Sequence, residues 1–572
     1  MAKTQNKNQK QKQALIRLFI MAGILLCANI LASYFHTGLD LTSEKRFTLT
    51  KPTVKLLKEM KEVAVIDVYL KGKFPAEFQR LTEAVREKLQ SFKEVAGNKI
   101  IYRFIDPIEG KNDDELKQVV MDLRQKGVFH MPLNKKDDDE GGYSMKICFP
   151  YALIHYNGKE IPVLLVENPY GKSPLEKISY AEATLEYKFA NALNRMNRRD
   201  DPRVAYIVGN GQKLGIETAE MLTTIAQNYV LDTVDLTRTL QISLAYDAIV
   251  MVQPTMPFTG PEKLKIDQYI MGGGHVLWMV NSLHASVDSL RHSPQFIAME
   301  YGLELDDMLF KYGVRINNDL VEDMQNVPLP RTYEGGAPEL HPWIYFPKFN
   351  PTADHPIVKN MDFIFAQFSN SIDTIRSPDI KKTILLQSSK YSRVSRSPVR
   401  VSLAMMNYPL KNEMFNNPYR PVAVLLEGKF HSAYEGLLAP EYLQLLDSLK
   451  LTFKPKCDSE NSMIVVTAGE IFTNGFNAKD GLIPMGYYYY TGDYYANRDF
   501  LLNCLEYLTD HSGILEARSK DVKQRLLDNA RAKNEKSTWQ FVNVAIPVVI
   551  ILVFASAYFF FRKRKYETKP IP

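Results

Sequence analysis

The sequence is poor in the residues and patterns that announce chemistry. Four cysteines in 572 residues are too few for a disulfide scaffold, and none forms a C-x-x-C pair. It has no H-E-x-x-H zinc helix and no G-x-S-x-G elbow, and its ten histidines are scattered. Gly171, Lys172 and Ser173 look like the end of a phosphate loop. Val166 stands where that loop needs its first glycine, and Pro169 and Pro174 break the loop-to-helix context, so the chain does not hydrolyse ATP itself. Asp137, Asp138, Asp139 and Glu140 read as a solvated acidic loop rather than a cation site. These absences predict no catalytic, metal-binding or cofactor-binding residues.

Acidic charge is missing from the two ends. Residues 1–17 carry Lys3, Lys7, Lys10, Lys12 and Arg17 and no acid. Residues 562–572 carry Arg562, Lys563, Arg564, Lys565 and Lys569 against Glu567. The ends therefore hold 10 − 1 = +9 of a formal total of +6, and the rest of the chain holds 6 − 9 = −3. A mildly acidic bulk excludes a nucleic-acid partner gripped along the whole protein.

Long apolar runs are absent except beside those basic ends. Mean hydropathy is −0.23, too low for a polytopic membrane protein. Yet residues 14–35 contain one charge, Arg17, and residues 539–561 contain none. Each is about the ~20 residues a helix needs to cross a bilayer. Flanking positive charge puts both termini in the cytoplasm. The expected order is a cytoplasmic tail (1–13), a membrane helix (14–35), a large extracytoplasmic part, a second membrane helix (539–561) and a tail (562–572). The location implied is a bacterial inner membrane, with the main part periplasmic and membrane lipid as one partner. A cleaved leader is the alternative for 14–35.

The extracytoplasmic part reads as two α/β domains. In residues 42–199, helices are expected at 51–60, 77–96, 113–126 and 180–197, and strands at 63–70, 100–106, 145–156 and 160–166. Thr50 is the expected N-cap of the first helix, with Pro52 in its first turn. The β-α-β-α-β-β-α order is that of a thioredoxin-like fold, without redox cysteines. In residues 201–512, apolar strands at 203–208, 231–236, 246–252 and 275–281 alternate with helices, which predicts a parallel sheet covered on both faces. Further strands are expected at 421–426 and 462–467 and a helix at 499–508. Residues 320–420, rich in Pro, Asn and Ser, read as an irregular insertion. A stalk helix over 514–538 leads to the second membrane run. Cys148, Cys457 and Cys504 read as buried small apolar residues, with a Cys457–Cys504 disulfide as the alternative.

Two features are candidate contact sites. The loop Gly209-Asn210-Gly211-Gln212 follows a predicted strand, where ligands bind beyond the carboxyl ends of parallel strands. Its plain alternative is a turn in which the glycines supply unusual backbone angles. Tyr487–Tyr490 and Tyr494–Tyr495 put six tyrosines in nine residues. They form either a hairpin with one packed face or, through Tyr487, Tyr489 and Tyr494, a contact for a protein or glycan.

Several segments together resemble a known family. They are DLTSEKRFTLTKPTVKLLKEM, VYLKGKFPAEFQRL, YRFIDP, VGNGQ, YDAIVMVQPTMPFTGPEKLKIDQYIMGGGHVLWMVN, VAVLLEGKFHSAY, NRDFLLNCLEYL and the closing ARSKDVKQRLLDNARAKNEKSTWQFVNVAIP. They resemble the gliding-motility-associated ABC-transporter auxiliary subunits (GldG-like). The resemblance implies two partners, a polytopic permease and a separate cytoplasmic ATPase. It also implies a second domain of flavodoxin-like, class I glutamine amidotransferase-like fold without that chemistry. The family loop is commonly Gly-His-Gly-Glu, so Asn210 and Gln212 replace an imidazole and a carboxylate. The reading is therefore a non-enzymatic anchored subunit of a transport complex. Its rivals are an anchored solute-binding receptor and an anchored hydrolase or amidotransferase acting near Gln212 or Gln253.

Overall fold

The computed structural model describes residues 16–27, 29, 48–72, 74–136, 143–166, 174–198, 200–331, 338–351, 353–477, 481–519 and 535–566. The expected sites at 137–140 and 171–173 lie outside them. The chain divides into two units, Met1–Asp521 and Val522–Pro572, and each is taken by itself.

The first described helix is α1 (Ile16–Cys27), an apolar helix within the predicted run 14–35, most of whose remaining residues lie outside the described part. Then α2 (Lys51–Glu59) starts at Thr50 with Pro52 in its first turn. Thr50 makes no side-chain cap. Its backbone N–H goes to Glu186 Oε1 at 2.7 Å, and its hydroxyl meets that of Thr53. β1 (Ala64–Val68), α3 (Ala76–Ala96), β2 (Ile100–Phe104) and α4 (Asp113–Gln125) follow. The predicted strand 145–156 is two strands. β3 (Met131–Lys136) pairs with β4 (Tyr143–Cys148), and β5 (Tyr151–Tyr156) pairs with β6 (Lys159–Leu164). The break falls at Pro150, whose missing N–H cannot continue a ladder. The order is β2-β1-β5-β6, with β1 parallel to β2 and antiparallel to β5. The long helix α5 (Pro174–Asn197) begins earlier than expected.

β7 (Arg203–Val208), α6 (Ala219–Ala226), β8 (Val230–Asp235), β9 (Ala248–Val252), α7 (Gly260–Met271) and β10 (His275–Met279) build the second sheet. Strands Asn461–Val466, Pro421–Gly428 and Ile380–Gln387 extend it. From one edge the order is β8, β7, β9, β10, then 461–466, all parallel, then 421–428 and 380–387, each antiparallel to its neighbour. Period-two alternation splits the side chains between two cores. Val204, Tyr206, Val250, Leu277 and Ile464 enter one core, and Ala205, Ile207, Ile249, Trp278 and Val465 the other. Cys504 and Cys457 are buried in these different cores, which is why the two thiols do not meet. The insertion expected at 320–420 is rich in short antiparallel strands around Trp343, Tyr345, Phe346 and Phe368.

The two sheets share one of those cores, to which α2, α3, α5 and helix Asn497–Thr509 also contribute. At this seam Tyr187 donates its hydroxyl proton to Glu506. Asn191 Nδ2 reaches the same carboxylate oxygen at 3.2 Å, and Arg198 pairs with Asp510 at 3.1 Å. The predicted stalk is a 3-10 turn over Ile514–Ser519, and residues 520–534 lie outside the described part. That turn packs against α2 and α5. Arg518 Nη2 donates to Tyr180 at 3.1 Å, and its carbonyl accepts from Asn360 at 3.0 Å. A Cβ on Gly513 would stand 3.4 Å from Pro52. The start and the finish of the compact part therefore meet. They meet at the amino edge of the large sheet, where His511 lies 5.9 Å from His275 at the start of β10.

In the second unit, helix Lys536–Tyr566 carries the apolar run and continues through Arg562–Lys565. It is long and apolar enough to cross a membrane.

Candidate functional site

At the carboxyl edge of the large sheet, strand order reverses between β8 and β9, which lie on opposite sides of β7. Such a switch point opens a crevice beyond the strand ends. Gly209 follows β7, Gln253 follows β9, Asn281 lies just past β10, and Gly469 and Glu470 lie just past strand 461–466. Four neighbouring strands thus deliver one polar cluster.

The loop after β7 is tied tightly. Gly209 has φ +124° and Gly211 φ +77°, both favouring glycine. A Cβ on Gly211 would stand 2.1 Å from Thr255 Oγ1. The Asn210 carbonyl accepts from Thr255 N at 3.0 Å and Met256 N at 3.1 Å, and Gln212 Oε1 accepts from Asn210 N at 2.7 Å. Asn210 Nδ2 donates to Glu262 Oε2 at 3.0 Å, and Thr259 N donates to the same oxygen at 2.8 Å. Burial pushes the Glu262 carboxyl up, but these hydrogen bonds outweigh it and hold the group below its ordinary value.

Gln253 is held at φ +44°, a left-handed conformation unfavourable to a side chain, by its N–H bond to Met279 O at 2.8 Å. Asn281 Oδ1 accepts from Gly469 N at 2.7 Å, and its Nδ2 donates to Glu470 Oε2 at 2.9 Å. A Cβ on Gly469 would stand 2.3 Å from Gln253 Cγ, so glycine lets Gln253 and Asn281 close on this turn. Burial pushes the Glu470 carboxyl up to about 7, while hydrogen bonds from its backbone, Asn281 and Gln253 and the charge of Lys213 oppose the rise. Three buried amide atoms are left without a partner: Asn210 Oδ1, Gln212 Nε2 and Gln253 Oε1. Unpaired buried polar atoms are costly and uncommon. On the same edge a cavity of ≈ 360 Å³ is lined by Val280, Ser282, Leu303, Leu305, Asp306 and Asn318.

Chemically, carboxamides neither titrate nor attack at ordinary pH. They give and accept hydrogen bonds, and Glu470 changes protonation near neutrality. The arrangement suits recognition. The predicted loop Gly209–Gln212 thus lies at the switch point, where the alternation of strands and helices put it. Asn281, Glu470 and the role of Gln253 escaped the sequence. Gln253 and Asn281 share one signal, a polar residue directly behind an apolar run, in VMVQ and WMVN, whereas Glu470 lies four residues past its strand, in VVTAGE.

The tyrosines form the packed hairpin. Tyr487–Tyr488 pairs with Asp493–Tyr494. Tyr488 and Tyr495 are buried against Phe365, and Tyr488 donates to Pro328 O. Of the three candidate contacts, Tyr489 and Tyr494 are 45% and 46% exposed, and the Tyr487 ring lies 4.6 Å from that of Tyr494, tilted by 39°. Glu220 of α6 links the regions: its carboxylate accepts from Met485 N, and its charge faces Tyr494.

A family profile described as an ABC-type uncharacterized transport system matches residues 201–504, just over half of the chain. The chain belongs to this family. A profile described as a domain of unknown function (DUF7088) matches residues 43–155. A protein of Borreliella burgdorferi, named only as an uncharacterized protein, is 21% identical over 98% of this chain and 99% of its own length. Among solved structures, the mmIFT52 N-terminal domain matches with a TM-score of 0.29 and 12% identity, over 54% of this chain and 97% of its own. Exo-beta-1,4-mannosidase Op5Man5 from Opitutaceae bacterium strain TAV5 matches with a TM-score of 0.19 and 10% identity, over 84% of this chain and 56% of its own. Membership of the ABC-type transport family points to other transporter components as partners and to an auxiliary rather than a catalytic part. The whole candidate cluster, Gly209 to Glu470, falls inside the matched residues.

Proposed function

We propose that this chain is a membrane-anchored, non-enzymatic auxiliary subunit of an ABC-type complex, holding its carboxyl-edge cluster towards an extracytoplasmic partner or substrate. One observation carries the reading: α2 and the turn Ile514–Ser519, the two ends of the compact part, pack together at the amino edge of the sheet, opposite Gln253, Asn281 and Glu470. Two ends of the compact part that lie together suit two passes through one membrane. Both termini are then cytoplasmic, beside the permease and the ATPase. The order β2-β1-β5-β6, with β5 against its neighbours, supports a thioredoxin-like assignment for the first sheet. The parallel order β8-β7-β9-β10 and then 461–466 supports a flavodoxin-like, class I glutamine amidotransferase-like assignment for the second. Gln253 at the strained turn after β9 offers no nucleophile. Mild-detergent purification of the tagged full chain from its own cells is expected to recover a polytopic permease and an ATPase. Recovery alone, with the membrane fraction intact, would refute the reading. Gliding motility joins it through the resemblance in the segments quoted above, and loss of surface spreading on deletion tests that part.

The unpartnered amides of Asn210, Gln212 and Gln253 favour a second reading, an anchored solute receptor. A metabolite saturating this edge is expected to raise the melting temperature, and Asn210→Ala to abolish the rise.

A further inference from the structure

Helix α2 carries Lys51, Lys55 and Lys58, all exposed, at i, i+4 and i+7 spacing, which stacks them on one face. Thr53, Leu56 and Leu57 are buried on the other side and fix that face outward. Between the lysines runs a shallow groove of ≈ 420 Å³, floored by the half-buried Leu49 and Val54 and bordered by Glu59. No carboxylate pairs with the three lysines among the described residues. That is unlike Lys71, which pairs with Glu109 at 2.8 Å, and Arg80, which pairs with Glu182 at 2.6 Å. Apolar floor and cationic rim are together the complement of a phospholipid's glycerol region and phosphate.

Position favours the same occupant. Residues 36–48 separate the apolar run ending at Phe35 from this groove. Thirteen residues span at most about 45 Å, and they include Lys45 and Arg46. The turn Ile514–Ser519, seventeen residues before Lys536, packs beside the groove's helix. The lysines thus stand on the helix at which the two ends of the compact part meet.

We infer that the lysine-rimmed groove of α2 binds anionic phospholipid headgroups of the membrane that anchors the chain. The site rests on the two-pass reading above and adds to it a lipid-selective contact at the membrane-facing edge. Bound headgroups would fix how the compact part stands on the bilayer and hold the far edge at a set height above it.

The test uses the full chain in nanodiscs of phosphatidylcholine alone or with phosphatidylglycerol. Amine acetylation is followed by mass spectrometry. Lys51, Lys55 and Lys58 are expected to react about fivefold more slowly in the anionic discs, the order of effect of a lysine at an anionic surface. The slowing should vanish in high salt, which screens the contact. Lys311, exposed on the helix Asp306–Tyr312, serves as the control and is expected to react equally in both. The double variant Lys55→Glu, Lys58→Glu is expected to keep its melting temperature and to free Lys51 from the lipid effect. Equal rates in the two discs overturn the lipid site while leaving the anchor reading intact. Slowing that appears only when a co-purified protein is added also overturns it, in favour of an acidic protein surface. A chain that enters neither disc overturns the anchoring and the lipid site together.

Discussion

Glu506 at the seam and Glu470 at the carboxyl edge are both pushed up to about 7 by burial, yet their surroundings differ. One oxygen of Glu506 takes the Tyr187 hydroxyl and the Asn191 amide, and the charges of Arg198 and Arg518 face it within a core shared by both sheets. Glu470 sits beside a backbone held at φ +44° and two glycine turns, near three amide atoms with no partner. The seam uses its polar groups to join α5 to helix Asn497–Thr509. Glu506 Oε1 also lacks a partner, so what sets the edge apart is its backbone strain beside three unpaired amide atoms, and strained conformations persist where surrounding structure over-determines them and cluster at functional sites.

The largest expected effect is on the seam and follows from pH. The folded Glu506 carboxyl protonates near 7 and the unfolded one near its ordinary 4.5. Between those values the folded chain holds a proton that the unfolded chain has lost. Stability is therefore full below about 4.5, falls as pH rises towards 7, and is level above. The fall is about 3 kcal/mol for this buried group. Glu470 contributes a similar fall over the same window, so melting temperature measured at pH 5 and pH 8 should show both, and Glu506→Gln should remove about half of the difference. If Glu470→Gln removes all of it instead, the edge and not the seam is the titrating core. The next effect is at the edge. Gly211→Ala meets Thr255 at 2.1 Å in a left-handed backbone and should cost about 1–3 kcal/mol. Gly273→Ala, at φ +99° with open space around it, should cost only about 1 kcal/mol. Equal costs, read as shifts in melting temperature, would mean that the Gly211 contact relaxes freely.

The contrast was unevenly legible in the sequence. RVAYIV, YDAIVMV and SMIVVT are apolar runs buried on both faces, so each announces a central strand whatever its neighbours. IKKTILLQ, which extends the same sheet, mixes Lys381, Lys382 and Thr383 into an edge strand and reads as neither period. The strands of the insertion are short and antiparallel, and their registers depend on partners far along the chain, as in Val399 opposite Ala298. Local pattern cannot supply that. The loop Gly209–Gln212 was visible because two glycines flank a strand end. Asn281 and Glu470 are single polar residues separated by 189 positions and joined only by strand order. The seam was invisible, since nothing in Tyr187 or Asn191 names Glu506.

Gln253 divides strain from recognition. Gln253→Gly removes the unfavourable φ and one unpaired amide oxygen but also the side-chain hydrogen bond to Glu470, so stability should change by no more than about 1 kcal/mol. Recovery of transporter partners should fall if the edge is the working surface. Unchanged recovery would make that edge a packing feature.

The smallest effect on stability is expected from Tyr489→Ala. Its ring is 45% exposed, and the hairpin is anchored by Tyr488 and Tyr495 beneath it, so the melting temperature should move by no more than ~0.5 kcal/mol allows. That small cost makes it a sensitive probe. The hairpin and α6 are joined through Glu220, and α6 follows the loop of Gly211, so a partner docking on the edge could reach the exposed ring. Loss of partner recovery in Tyr489→Ala, with stability unchanged, would extend the working surface from the amide cluster to the hairpin. Full recovery would confine it to Asn210, Gln253 and Glu470.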